Sequence, residues 1–330
     1  MKYLRMIHCV SAISLAAVCL ILTSYREWDR TTDLTTTKMM GFSPEGDYFL
    51  SDKKSKDSNE SFNKLEEYMW EESAYHKLPN NLQRYFKRAF MFTGGNEAIW
   101  EHTIKLIRTL EIKEEGSLLL KGKWWVPFTA SFHLSANPMN PGFVHQLRLS
   151  LPCPLPYLSD LNIHVRYALL NGLESKHMRF MKVVPVLDNS MFSDFQSGAL
   201  WRWLSLTPLF PTSLLPHDGD GIQWQKYDKS KLLDHVSSAQ LLETATSEVM
   251  DTEFHFDNNG LISTILGYTF KTDEDGHITK SPWECRWYDY TIMGHGMMVP
   301  TRVEYGWLDE NGEFLLFYKS TFKSFNYTYF

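Results

Sequence analysis

Three short turn-forming segments in the last third of the chain constrain its fold more than any other feature. Residues 257–260, 273–276 and 309–312 each combine Asp with Asn or Glu, end in Gly, and separate two runs rich in β-branched and aromatic residues. Asp, Asn and Gly are the residues that tolerate the backbone conformations of tight hairpins. Parallel strands would instead need crossovers of a dozen or more residues. The spacing therefore predicts consecutive hairpins in an antiparallel meander.

Apolar residues at helical spacing precede this β-rich part of the chain. An apolar stripe predicts a helix that begins near Pro79, and it comprises Leu82, Tyr85, Phe86, Ala89 and Phe90. A similar stripe over residues 62–75 predicts an earlier helix, and residues 192–206 predict a third. Past residue 100 the apolar residues stand about two positions apart, which is typical of strands, and residues 114–116 predict a turn. We therefore expect one α+β domain over residues 62–330, with a mainly antiparallel sheet that is either an open meander or a half-barrel wrapped over helices.

The N-terminal segment, residues 1–28, predicts either a signal anchor or a cleaved signal peptide. Residues 7–25 contain no Asp, Glu, Lys or Arg, and Lys2 and Arg5 precede them. Because residues 22–25 lack a small-x-small cleavage pattern, an uncleaved membrane helix is favoured. The positive-inside rule then leaves the domain on the non-cytoplasmic side, and cleavage would leave it secreted. Residues 29–61 are rich in Thr, Ser and Lys and predict a flexible tether.

A non-cytoplasmic location would allow covalent modification of two pairs of residues. Cys153 and Cys285 either form one disulfide or remain two buried free thiols. Asn59 and Asn326 begin Asn-x-Ser/Thr triplets and are candidate glycosylation sites. Both sets of assignments depend on the membrane topology.

Charge and motifs exclude several function classes. The net charge of −6 argues against nucleic-acid binding, which normally requires a basic surface. The sequence contains no phosphate-binding glycine loop, no dinucleotide fingerprint and no nucleophile elbow. No two of its 12 His residues stand three or four apart, as zinc pairs on a helix would. We expect neither a metal nor a cofactor.

The densest group of polar and aromatic residues spans positions 282–290. On a regular strand, residues two apart share a face. One face would carry Glu284, Arg286, Tyr288 and Tyr290, and the other Trp283, Cys285, Trp287 and Asp289. The polar row either lines a pocket in which Arg286 binds an anionic group, or it is a solvent face on which Glu284 and Arg286 pair.

The abundance of aromatic residues favours a binding module for an apolar or amphipathic, lipid-like ligand. The candidate ligand-binding residues are Trp125, Trp224, Glu284, Arg286 and Tyr290. Further aromatic residues either line the cavity with them or simply fill the core, namely Trp124, Phe128, Trp201, Trp203, Trp283 and Trp287. One alternative is an enzyme acting on a lipid-like or cell-envelope substrate, with Asp228, Asp289 and His295 as acid/base candidates. Another is a structural or assembly protein at a membrane surface.

A series of short pieces in a fixed order also resembles a known family. The pieces are Leu78-Pro79, Arg84-Tyr85, Trp125 to Ala130, Pro141-Gly142-Phe143, Leu215-Pro216, Trp224 with Asp228, Phe256-Asp257 with Gly260, Pro282-Trp283 with Asp289-Tyr290, Gly296 with Val299-Pro300, and Trp307. The series resembles an uncharacterised, largely bacterial family of domains of unknown function, over roughly residues 78–320. Ser205 stands in the stretch where the family often carries an acid. The resemblance implies a shared fold. It does not imply any particular reaction.

Overall fold

A computed structural model describes residues 2–39, 67–69, 76–90, 103–120, 122–138, 140–151, 161–190, 196–216, 222–225, 236–242, 249–272, 278–293 and 296–330. Its helices are α1 (Lys2–Met39), α2 (Asn80–Ala89) and α3 (Gln196–Ser205), and two 3-10 turns follow α3 at Thr207–Leu209 and Pro211–Leu214. Its strands are β1 (Glu67–Met69), β2 (Thr103–Lys105), β3 (Ile107–Leu120), β4 (Trp124–Ser135), β5 (Gly142–Leu151), β6 (Leu161–Leu170), β7 (Leu173–Phe180), β8 (Val184–Ser190), β9 (Ile222–Gln225), β10 (Val236–Leu242), β11 (Val249–Phe256), β12 (Ile262–Thr272), β13 (Ile278–Ile292), β14 (Met298–Leu308) and β15 (Phe314–Tyr329).

Thirteen of these strands form one open sheet in the order β8-β7-β6-β5-β4-β3-β15-β14-β13-β12-β11-β10-β9. Strands β3–β8 form a first wing and strands β9–β15 a second wing. Inside each wing every strand pairs with its neighbour in sequence, and among the described strands the backbone pairing that joins the two wings is that of β3 with β15. The expected α+β class with a mainly antiparallel sheet is confirmed, and the sheet is not a closed barrel.

Two of the predicted turns have the same chemistry. Asp257 accepts hydrogen bonds from the backbone N–H groups of Asn259 and Leu261, and Asp309 does the same in the β14–β15 hairpin. Gly260 and Gly312 adopt φ values of 82° and 80°, which glycine accommodates without steric cost. The third turn, residues 273–276, lies outside the described residues.

Two local predictions were wrong. Tyr68 and Met69 belong to β1, which pairs with β2, and not to a helix, because strand pairing satisfies their backbone groups in place of a helical repeat. Residues 114–116 lie inside β3 and not in a turn. Gly116 pairs with Phe128 on one side and Ser320 on the other, and a Cβ at this position would lie 2.2 Å from the Lys319 carbonyl oxygen. Glycine here permits close strand packing.

The stretch from α3 to the second 3-10 turn, residues 196–216, is the connector between the wings. It joins β8 to β9, which are the opposite edges of the sheet, so it must cross the sheet. α3 contacts β5, β6 and β7 of the first wing and also β11 and β12 of the second. A ten-residue helix is about 15 Å long, whereas β7 and β11 are nine strand spacings apart in the sheet order, which would measure about 43 Å if the sheet were flat. The sheet therefore wraps around α3, and we call the enclosed side the inner face.

Side-chain hydrogen bonds fasten the connector to the sheet. Trp203 Nε1 donates to the Ser135 carbonyl at 2.8 Å, and Tyr327 donates through its hydroxyl to the Leu209 carbonyl at 2.9 Å. Ser213 donates to the Ala136 carbonyl. On the same inner face, α2 packs the apolar stripe predicted from the sequence, and all five of its residues are buried. The core therefore lies between the inner face and these helices.

α1 contacts the outer face instead. Trp28 is 4% exposed and lies under the guanidinium groups of Arg166 and Arg179, and Thr31 and Thr32 each accept a hydrogen bond from Arg166. Residues 29–39 continue α1 along the sheet.

The predicted N-terminal membrane helix is not shown. Within the part of the chain that the structure describes, no helix combines the length and the apolarity that crossing a membrane requires.

Candidate functional site

The inner face encloses an aromatic interior around α3. Trp201 and Trp203 of α3 are fully buried, and Trp283 and Trp287 of β13 are buried beside them. The ring centroids of Trp201 and Trp283 are 4.0 Å apart. Phe128 of β4 packs on Tyr318 of β15, with their ring centroids 5.0 Å apart. The structure thus brings most of the aromatic residues singled out in the sequence into one interior.

Gly267 of β12 makes room for Trp201. A Cβ at Gly267 would lie 1.3 Å from Trp201 Nε1, a distance that real contacts never reach. The indole consequently rests directly on the β12 backbone. This close approach is possible because position 267 has no side chain.

Charged residues meet in the middle of this interior and form what we call the polar centre. Glu114 Oε1 lies 2.5 Å from His145 Nε2 and accepts a hydrogen bond from the Tyr318 hydroxyl at 2.9 Å. Ser320 donates to the other carboxylate oxygen of Glu114 at 2.7 Å. Arg202 of α3 reaches His145 Nδ1 through Nη2 at 3.3 Å. The polar centre thus joins both wings and the connector.

These contacts fix the charge states. Arginine can only donate hydrogen bonds, so His145 Nδ1 accepts from Arg202 and Nε2 carries the proton that is donated to Glu114. Burial lowers the pKa of His145 to about 4, and the nearby Arg202 acts in the same direction. Burial alone would raise the pKa of Glu114, but the hydrogen bonds from His145 and Ser320 and the positive charge of Arg202 hold it below its usual value. At neutral pH a carboxylate and a guanidinium are therefore bridged by a neutral imidazole.

Several donors around the polar centre find no acceptor in the described protein. They are Arg202 Nε and the indole Nε1 atoms of Trp201, Trp283 and Trp287. Arg202 also lies 5.2 Å from the Tyr305 ring and 5.5 Å from the Tyr318 ring. An unsatisfied buried donor typically costs about 1–3 kcal/mol. The interior thus offers hydrogen-bond donors inside an aromatic lining.

The polar centre predicts acid sensitivity. The unfolded chain protonates His145 near its ordinary pKa of 6.5, whereas the folded protein does so only near 4. The free energy of unfolding should therefore fall by on the order of 3 kcal/mol as the pH falls from about 6.5 to about 4. Urea unfolding at a series of pH values measures this loss.

His145→Gln provides the comparison for this pH series. Its amide can both donate to Glu114 and accept from Arg202, but it does not titrate, so the slope in this interval should flatten. Part of the slope should remain, because His164 on the outer face also has a pKa lowered to about 4. His76→Gln, at an exposed histidine, serves as the control. Equal slopes in the wild type and His145→Gln would contradict the assignment.

The polar row at residues 284–288 makes contacts within itself and with the neighbouring strands. Glu284 and Arg286 pair with one another, and Arg286 lies 3.8 Å from the centroid of the Phe314 ring. Tyr288 donates to Glu304 Oε2 at 3.1 Å. These residues form a ladder of contacts on the outer face, and it contains the pair of Glu284 and Arg286 that the second alternative predicts.

Tyr290 is not on the face predicted for it. Asp289 has a φ of 57°, which interrupts the alternation of the strand. Tyr290 consequently turns to the inner face, where its hydroxyl donates to the Ile262 carbonyl at 2.6 Å and lies near Tyr85 of α2. Asp289 itself is exposed and pairs with Arg302 at 2.9 Å. Among the described residues it joins no acid/base group in a cleft.

The other candidate residues have separate surroundings. Trp224 packs on Phe254 and donates to the Leu214 carbonyl at 2.9 Å, which fastens the end of the connector. Trp125 is 42% exposed near the β3–β4 turn, with Lys319 Nζ 5.0 Å from its ring. Cys285 is a buried free thiol whose pKa is raised by burial. Asn326 is exposed on β15. Asn59, Cys153, Asp228 and His295 lie outside the described residues.

Sequence reasoning missed the polar centre itself. Glu114 was assigned to a turn, and His145 and Arg202 were not singled out. The available signal was a polar residue beside large apolar ones, since His145 follows Phe143 and Val144 and Arg202 stands between two tryptophans. Within the described residues, no group of three His, Cys, Asp or Glu side chains is arranged to hold a metal ion.

Comparisons with known proteins add the family. Among solved structures, a putative outer membrane lipoprotein-sorting protein domain from Vibrio parahaemolyticus matches 66% of this chain and 85% of its own, at 8% identity and a TM-score of 0.33. No curated protein matches the sequence. The model of a family of unknown function, DUF6544, matches residues 69–319, in agreement with the resemblance found in the sequence. The chain therefore belongs to the DUF6544 family.

Proposed function

We propose that the protein binds an amphipathic, lipid-like ligand in its aromatic interior, with the polar headgroup at the polar centre. One observation carries the proposal: Arg202 and three tryptophans hold buried donor groups that have no acceptor among the described residues. A carboxylate or phosphate headgroup supplies acceptor oxygens, and the surrounding aromatic rings suit an acyl chain.

Ligand entry requires α3 to move, because its side chains fill the interior. Burial of Leu200, Trp201, Trp203 and Leu204 stabilises the closed form by on the order of 6–12 kcal/mol, at about 1.5–3 kcal/mol for each side chain. An acyl chain of about 16 carbons gains a similar amount, at about 0.8 kcal/mol for each buried CH₂ group. The free energy lost when the α3 side chains leave the interior is thus close to the free energy gained when the acyl chain is buried.

The contacts of α3 define how it opens. Its polar attachments to the sheet include the bond from Arg202 to His145 and the bond from Trp203 to the Ser135 carbonyl. An anionic headgroup competes with Glu114 and His145 for Arg202. This competition breaks the hydrogen bond from Arg202 to His145. The 3-10 turns remain fastened through Tyr327 and Ser213, so the hinge lies between Ser205 and Thr207.

The proposal includes a location. The uncharged segment 7–25, preceded by Lys2 and Arg5, supports a protein held at the non-cytoplasmic side of a membrane, or secreted if the segment is cut. A ligand taken from that membrane would reach the interior without crossing bulk water. This part of the proposal rests on the sequence pattern alone.

Ligand uptake can be measured with the full chain in a mild detergent. We expect native mass spectrometry to detect one bound palmitate or one bound phosphatidylglycerol. Trp283→Phe combined with Trp287→Phe keeps two aromatic rings but removes two donors, and both positions lie on β13, which stays in place when α3 moves. The Kd should rise about tenfold, since each lost hydrogen bond contributes about 0.5–1.5 kcal/mol.

The matched control is Trp124→Phe, because Trp124 is 65% exposed. It should bind like the wild type, and circular dichroism should show that all variants are folded. A wild-type protein that takes up neither probe would refute the proposal. Uptake that is equal in the wild type and the double variant would remove the tryptophan donors from the site.

A further inference from the structure

A second, separate cleft lies on the outer face beside α1. This outer groove has a volume of about 520 Å³, and its floor consists of neighbouring strands of the first wing together with β15. Trp28 and Asp29 of α1 form one wall. It is separated from the aromatic interior by the sheet itself, so the two sites are independent.

The groove is lined by basic side chains although the protein as a whole is acidic. Four of its lining residues are Lys113, Arg148, Lys182 and Lys323. Its acidic side chains are Asp29, 2.7 Å from Lys182, and Glu115, 3.4 Å from Lys323. Glu114 also borders the groove, but its carboxylate is bound on the inner face by His145 and Tyr318. The groove therefore carries a net positive charge in a chain of net charge −6.

Strand register places the basic and hydroxyl groups side by side. Lys113 is directly opposite Ser131, and Arg148 is directly opposite both Thr129 and His164. His164 is in turn opposite Arg179. Cross-strand partners lie about 4.5–5.5 Å apart, so Arg148 lies between a hydroxyl and an imidazole, and Lys113 lies beside a second hydroxyl.

The basic side chains of the groove also lower the pKa of His164. Burial and the positive charges of Lys182 and Arg148 together lower its pKa to about 4, against the opposing charge of Asp29. A neutral imidazole at physiological pH supplies one N–H donor without adding charge. Guanidinium, ammonium, hydroxyl and imidazole donors thus face one cleft.

We propose that the outer groove binds a phosphate group, with Arg148 as the bidentate ligand and Lys113 as the second cation. Thr129, Ser131 and His164 complete the donor set. Arg148 presents two parallel N–H groups that match two phosphate oxygens, and the hydroxyls satisfy the remaining oxygens. The phosphate belongs either to a lipid headgroup or to a soluble phosphate ester, and both share this chemistry.

The test uses the full chain with inorganic phosphate as the first probe. Phosphate should raise the Tm relative to chloride at equal ionic strength. Arg148→Gln and Lys113→Gln should each weaken the dependence on phosphate concentration about tenfold, the loss expected for one charge-assisted bond. Lys87→Gln, at an exposed lysine of α2, should behave like the wild type.

Flotation with vesicles identifies the source of the phosphate. A gain in flotation when phosphatidylglycerol is added to phosphatidylcholine, lost in Arg148→Gln, supports a lipid headgroup. A phosphate-dependent Tm without that gain supports a soluble ester. The inference is overturned if phosphate and chloride give the same Tm, or if Arg148→Gln responds to phosphate like the wild type. Palmitate uptake by the interior is unaffected by either variant, so failure here is distinct from failure of the interior site.

Discussion

Replacing Arg202 by Met is expected to lower the free energy of unfolding by about 3–5 kcal/mol at pH 7. The substitution preserves the length and most of the volume of the side chain but leaves the Glu114 carboxylate without its buried cation. Glu114 is 3% exposed, so water cannot replace the lost partner. Urea unfolding followed by circular dichroism measures the loss.

A double-mutant cycle separates charge from packing. Glu114→Gln alone leaves Arg202 as the uncompensated charge and should also be costly, whereas Glu114→Gln with Arg202→Met removes both charges. The double variant should be more stable than the sum of the two single losses predicts, by on the order of 2 kcal/mol. Strict additivity would show that the two charges are not coupled through His145.

Replacing Gly267 by Ala is the second change with a large expected effect. The new methyl group would overlap Trp201 Nε1, so either the indole must leave its position or β12 must shift. Overpacking of this kind typically costs about 1–3 kcal/mol, and displacement of a buried tryptophan costs about 3–5 kcal/mol. We expect a loss near 4 kcal/mol, with a change in near-ultraviolet circular dichroism from Trp201.

Truncation of the indole distinguishes this mechanism from a general effect on β12. In a Trp201→Ala background, Gly267→Ala should cost much less than in the wild type, because the clashing atoms are gone. Tyr268→Ala, at the adjacent exposed position of β12, should change stability only slightly. A Gly267→Ala penalty that persists without the indole would point to the backbone of β12 instead.

Local features of this fold could be predicted from the sequence because short-range chemistry determines them. The Asp-to-Gly turns at residues 257–260 and 309–312 and the apolar stripe of α2 depend on neighbouring residues alone. The alternation of β13 was correct through Trp287 and failed at Asp289. A residue with positive φ that is not glycine leaves little trace in a hydropathy pattern.

The polar centre depends on contacts that no local pattern encodes. Glu114 and His145 are 31 positions apart, and His145 and Arg202 are 57 apart. In isolation, Glu114 beside Glu115 and Gly116 is typical of a turn, and its burial follows only from the partners that the two wings supply. The inward position of α3 is likewise a result of topology, since it follows from β8 and β9 lying at opposite edges.

The single seam between β3 and β15 determines how this chain can fold. Each wing is a meander whose hairpins close short loops, so each can assemble quickly by itself. The seam instead joins residues about 200 positions apart and must overcome a much larger loss of chain entropy. The connector cannot fill the interior until the wings have met. Closure of the seam and burial of the connector should therefore be one late, cooperative step, in which the whole domain gains its stability together.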